Sequence, residues 1–86
     1  MTALWAVAGC LFEVSLPVPA PGPWRWTAEP AAAVTLLSEH DLDTGHHFRF
    51  RAEVPGAVEL RFDAGGVVEV VGVHVAPEDR LGKEEP

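Results

Sequence analysis

Three stretches of the chain alternate apolar and polar residues with a period of two. Phe12, Val14 and Leu16 are spaced by Glu13 and Ser15; Phe48, Phe50 and Ala52 by Arg49 and Arg51; Val58, Leu60 and Phe62 by Glu59 and Arg61. Successive side chains of a strand point to opposite faces, so each stretch reads as a strand with one buried and one wet face. Val67–Val75 is a β-branched run with apolar residues in both phases, which predicts a strand covered on both sides or lying at a subunit contact. Ala3–Ala8 and Val34–Leu37 are weaker strand candidates. Glu29–Leu37 offers the one helix alternative, with Pro30 in a first turn ahead of three alanines, and strand is the preferred reading there. Short strands separated by turn signals predict an all-β antiparallel sandwich of six or seven strands.

Val54-Pro55-Gly56 is a turn signal between two alternating runs. A hairpin centred on Pro55 places Phe50 opposite Leu60 and Phe48 opposite Phe62 on the buried side. Arg51 then faces Glu59, and His47 faces Asp63, on the wet side. Burial sets this register, because a one-residue slip turns every Phe outward, and charge only trims it.

Prolines at 17, 19, 21 and 23 stand between two strand patterns. Each fixes φ near −65° and removes a backbone donor, so this is a stiff loop. A loop already held in one conformation loses little entropy on docking. Trp24, at its end, is the candidate anchor and is expected partly exposed; Trp26, one step deeper, is expected in the core. The plainer alternative is a rigid connection whose tryptophans fill the core.

Eighty-six residues make one domain, expected over 1–76, with 77–86 a flexible acidic tail. The formal net charge of −7 argues against nucleic acid or an anionic membrane as partner, since a polyanion needs clustered Lys and Arg. The apolar start, Met1–Phe12, is too short to span a bilayer. Cys10 is the sole cysteine, so stability must come from packing; a reducing compartment is compatible with that, and the cytoplasm is favoured without being fixed by the sequence. Val7-Ala8-Gly9-Cys10 is similar to a lipoprotein cleavage box, but no basic residue precedes it and strand plus turn is the preferred reading.

Ser38–His47 is the densest polar segment. Asp41-x-Asp43-x-Gly45 is similar to the start of a calcium loop, yet the twelfth position, where a bidentate Glu is required, is Ala52. His46 and His47 point to opposite faces of a strand, and no third zinc ligand stands at a suitable spacing. A solvated loop with surface histidines, holding no metal or cofactor, is expected. Cys10 has no evident base and reads as a small buried hydrophobe. Ser15 and Ser38 lack a nucleophile-elbow context, so catalysis is not expected.

Gly9-Cys10-Leu11-Phe12-Glu13-Val14-Ser15-Leu16-Pro17 resembles the opening of the chagasin-like cysteine peptidase inhibitors, in which a Gly-Asp step leads into a strand ending in Leu-Pro. Trp26 takes that family's core Trp position and Trp24 its aromatic loop position. Gly45-His46-His47-Phe48-Arg49-Phe50-Arg51-Ala52 is similar to its glycine-led loop and Phe-x-Phe-Arg-Ala strand, and Pro55-Gly56 falls at its next turn. The resemblance implies an immunoglobulin-like sandwich whose loops at one end plug the cleft of papain-like peptidases. It places the protein-binding residues at Pro19, Ala20, Pro21, Gly22, Pro23 and Trp24, at Thr44, Gly45 and His46, and at Asp63 and Ala64. The departures lie in those loops: Pro19-Ala20-Pro21-Gly22-Pro23 stands where Asn-Pro-Thr-Thr-Gly is expected, and Asp63-Ala64-Gly65-Gly66 where Arg-Pro-Trp or Arg-Pro-Phe is expected. Two functions follow: a protein-binding module that inhibits a papain-like peptidase, or a non-inhibitory structural or accessory module, oligomerising through Val67–Val75.

Overall fold

A computed structural model describes residues 2–17, 20–43 and 45–78. Seven strands form two sheets: β1 (Thr2–Val7), β2 (Leu11–Leu16), β3 (Arg25–Glu29), β4 (Val34–Leu42), β5 (Gly45–Ala52), β6 (Gly56–Ala64) and β7 (Val67–Ala76). A single 3-10 turn, Ala31–Ala33, follows Pro30 in the place of the weighed helix. One sheet has the order β1-β7-β6-β3 and the other β2-β5-β4. In an immunoglobulin sandwich the second, fifth and fourth strands adjoin in one sheet and the third, sixth and seventh in the other. That order is kept here. The first strand, however, has crossed sheets and runs parallel to β7, so the sandwich is antiparallel except for this pair.

The alternating residues meet across the two sheets. Val14 and Leu16 of β2 and Phe48, Phe50 and Ala52 of β5 face Val58, Leu60, Phe62 and Ala64 of β6 and Val71, Val73 and Val75 of β7. Phe48 lies 5.0 Å from Phe62 between ring centroids, and Trp26 meets Phe50 edge-on at 5.0 Å. Each fully buried Phe, Leu or Val contributes about 1.5–3 kcal/mol relative to exposure, so this layer is the main support of a domain with no disulfide.

The expected hairpin about Pro55 is not formed. β5 pairs with β2 and β4, β6 pairs with β3 and β7, and Val54-Pro55-Gly56 carries the chain from one sheet to the other. Phe48, Phe50, Leu60 and Phe62 do share the core, but across it rather than side by side. The wet-face pairs therefore differ: Arg51 meets Glu53 at 2.9 Å and Arg49 meets Glu13 at 3.5 Å, while Ser15 contacts His47 Nδ1 at 2.9 Å. Val67–Ala76 is buried on its inner face only; Val67 and Val68 are exposed, and both its edges are occupied, by β1 and β6. Cys10 sits exposed in the turn between β1 and β2, not in a strand, because Cys10 N–H bonds back to Val7 C=O at 2.9 Å.

Candidate functional site

Ser38–His47 is not a loop. It forms most of a β4–β5 hairpin, paired out to Leu42↔Gly45, and Thr44 lies outside the described residues. The pairing Leu36↔Phe50 is followed by Ser38↔Arg49, so Leu37 is an extra residue, a β-bulge. An extra residue reverses the alternation beyond it. Before the bulge Val34 and Leu36 share the core side with Ala52 and Phe50; after it Glu39 and Asp41 take that side, opposite Phe48 and His46. Two carboxylates thus point along the inner face at the open end of the sandwich.

Between them lies His46. Its Nε2 contacts Glu39 Oε2 at 3.2 Å and its Nδ1 contacts Asp41 Oδ1, while the ring packs edge-on against Phe48 at 4.8 Å. The carboxylates meet different ring nitrogens, so they do not converge on one point, and no group of three or more His, Cys, Asp or Glu able to hold a metal exists among the described residues. Gly45 precedes with φ +146°, and a Cβ there would lie 2.6 Å from Leu16 O; only glycine lets the hairpin lie this close to β2.

The proline loop closes the same end. Trp24 is 7% exposed and its Nε1–H donates to Pro17 C=O at 3.2 Å, whereas Trp26 is half-buried. The expected roles of the two tryptophans are reversed, because Trp24 precedes β3 and folds in under its own loop while Trp26 sits on an edge strand. Gly65 abuts this loop so closely that a Cβ on it would meet the Pro21 Cβ at 2.9 Å. Gly65 and Gly66 have φ +55° and +97°, as the two central residues of a tight β6–β7 hairpin require.

The sequence-predicted binding residues are therefore gathered at one end but are not all available. Ala20, Gly22, Pro23 and Trp24 line an open groove of about 420 Å³ with Glu39, Asp41 and His46. Pro21 abuts Gly65 but is exposed, Gly45 is buried, and Ala64 is buried within β6 next to half-buried Asp63; neither of the last two lies in a loop. Pro19 lies outside the described residues. Glu39 and Asp41 were missed by sequence reasoning as partners of His46, since nothing in the residue pattern announces the bulge. Elsewhere, Glu53 is held below the usual carboxylate range by hydrogen bonds from Thr35 and from Arg51. No helix among the described residues is long and apolar enough to cross a membrane.

No protein-family model matches the chain, and no curated protein matches its sequence. Among solved structures the chain is similar to domains 4 and 5 of the S-layer protein SbsC, with a TM-score of 0.63 and 17% identity over 88% of this chain and 48% of that one. It spans about half the length of that solved chain. Amylomaltase from Corynebacterium glutamicum aligns at a TM-score of 0.44 and 14% identity, over 88% of this chain and 12% of the enzyme. The SbsC likeness agrees with an all-β sandwich.

Proposed function

We propose that this chain is a non-inhibitory structural or accessory β-sandwich module that acts through its outer surfaces. The observation that carries the reading is the burial of Trp24: the aromatic residue of the proline loop is spent on closing that loop, hydrogen-bonded to Pro17. The neighbouring connections are short. β4 and β5 stay paired out to Leu42↔Gly45, and β6–β7 turns through two glycines, of which Gly65 lies against Pro21. A loop that enters a peptidase cleft must project and present side chains; these hold one another instead. Excess protein added to a panel of papain-like peptidases is expected to leave their rates unchanged, and stoichiometric inhibition of any member overturns the reading.

A second reading is favoured by the meeting of the β2–β3, β4–β5 and β6–β7 connections at one end, the arrangement that the resemblance to chagasin-like inhibitors implies. In it the groove beside Pro23 takes a partner's basic side chain against Glu39 and Asp41. The same panel separates the two, with Asp41→Asn as the variant that would relieve any inhibition.

A further inference from the structure

Each sheet of an open sandwich ends in strands whose outer backbone groups lack a ladder, and proteins guard such edges with charge, proline or bulges. Three of the four edges here are guarded. β3 carries Arg25 and Glu29 between Pro23 and Pro30, β4 carries the Leu37 bulge with Glu39 and Asp41, and β2 carries Glu13 and runs into Pro17. β1 reads Thr-Ala-Leu-Trp-Ala-Val, with neither charge nor proline, and its pairing with β7 has no register shift.

The direction of its backbone groups is fixed by one bond. Ala8 N–H donates to Ala76 C=O at 2.9 Å, so along β1 the even residues face β7 and the N–H and C=O groups of Ala3 and Trp5 point away from it. Val7 C=O, the next in that row, is already taken by Cys10. Trp5 is 74% exposed, leaning on His74 at 4.2 Å. Beside it, Ala3 pairs in register with Gly72, and their small side chains leave an apolar trough of about 240 Å³. On the inner side of β1, Leu4 borders an opening of about 170 Å³ between the sheets, lined also by Val14, Leu16 and Val71 and by the acidic residues Glu13 and Glu69.

The geometry points to a second copy of this chain as the occupant of the β1 edge, paired antiparallel about a two-fold axis at Leu4. A knob and a hole lie on one strand, two residues apart, and that axis exchanges them. Trp5 of each copy comes opposite Ala3 of the other and covers its Ala3–Gly72 trough. The Ala3 and Trp5 backbones exchange both N–H···O=C bonds of a hydrogen-bonded pair. Leu4 meets its counterpart over the opening between the sheets. The contact is isologous and closed, so it ends at a dimer with no free β1 edge. The last strand has both edges filled and cannot take an added strand. This dimer rests on reading the chain as an interaction module but fails separately from it, since the peptidase panel probes the opposite surface feature, the end loops.

Sedimentation of the full chain across a concentration series is expected to move the mass from 9.2 kDa towards twice that value. Salt should favour the dimer, because two copies of charge −7 repel and screening weakens that repulsion. Trp5→Lys and Ala3→Pro should both hold the protein monomeric with unchanged far-ultraviolet spectra, the second because Ala3 N–H serves no bond within the sheet. A protein that stays monomeric at millimolar concentration and high salt overturns the proposal, as does a dimer that survives Trp5→Lys, whose exposed site does not threaten the fold.

Discussion

Trp24→Ala separates a core-filling loop from a docking loop by magnitude. A tryptophan buries about 150–250 Å², which at about 25 cal/mol per Å² is a gross loss of about 4–6 kcal/mol. Measured truncations of buried Trp to Ala fall at about 3–5 kcal/mol, with partial collapse of the cavity included. A domain of 86 residues has about 4–13 kcal/mol in total at the usual stability per residue. The substitution therefore removes a large share of the stability, and at about 4–8 °C per kcal/mol for a chain of this size the midpoint falls by about 12–40 °C. Trp24→Phe keeps most of the apolar area but gives up the Nε1–H bond to Pro17, for a smaller loss of about 0.5–1.5 kcal/mol beyond the change in volume. Thermal and urea melts followed by far-ultraviolet dichroism read all three proteins without relying on Trp fluorescence. Trp5→Ala, in dilute monomer, is the control and should stay within about 0.5 kcal/mol of the parent. A Trp24→Ala protein within about 1 kcal/mol of the parent would refute the reasoning and return the loop to the docking role.

Phe50→Ala should cost about 3–5 kcal/mol in urea melts, whereas Glu59→Ala on the wet face should cost under about 1 kcal/mol; equal losses would mean the inner and outer faces are misassigned. Gly45→Ala should destabilise by at least about 1–3 kcal/mol, because its positive φ and the nearby Leu16 carbonyl leave no room for a Cβ, and a neutral outcome would refute that packing. Glu53 has a lowered folded-state pKa, so its contribution is present above the ordinary carboxylate range and is lost as pH falls through the lower folded value. The parent should therefore lose stability relative to Glu53→Gln across that acid interval, and a pH-independent gap between the two would refute the linkage.

The alternation in Phe12–Leu16, Phe48–Ala52 and Val58–Phe62 predicted the buried side of three strands correctly, and with it the sandwich class. It could not predict strand neighbours. Two strands paired in one sheet and two strands facing each other across a core both place Phe50 and Leu60 on buried sides, so parity is the same in both and Val54-Pro55-Gly56 reads equally as hairpin or as crossover. The site was legible only in part. Gly45 and His46 stood out by residue type, and the proline loop by its fixed φ, but Glu39 and Asp41 join them only through the bulge at Leu37, a backbone event with no glycine or proline to mark it. Trp24 and Trp26 have the same strand parity, and their order of burial depends on Trp24 lying outside β3, where its ring turns under the loop.

Where interaction free energy is still unspent decides which surface of such a module acts. At the loop end Trp24 has its hydrogen bond, His46 has a carboxylate at each nitrogen, and Gly65 is seated against Pro21, so these groups already have partners. At the β1 edge the balance is the reverse. Ala3 and Trp5 present backbone donors and acceptors with no protein partner among the described residues, Trp5 is mostly exposed, and Leu4 borders an opening between the sheets. The crossing of β1 to the β7 sheet draws it away from β2, and an opening lies between the sheets along that side. A strand added at β1 pairs the free backbone groups and covers the opening in one step.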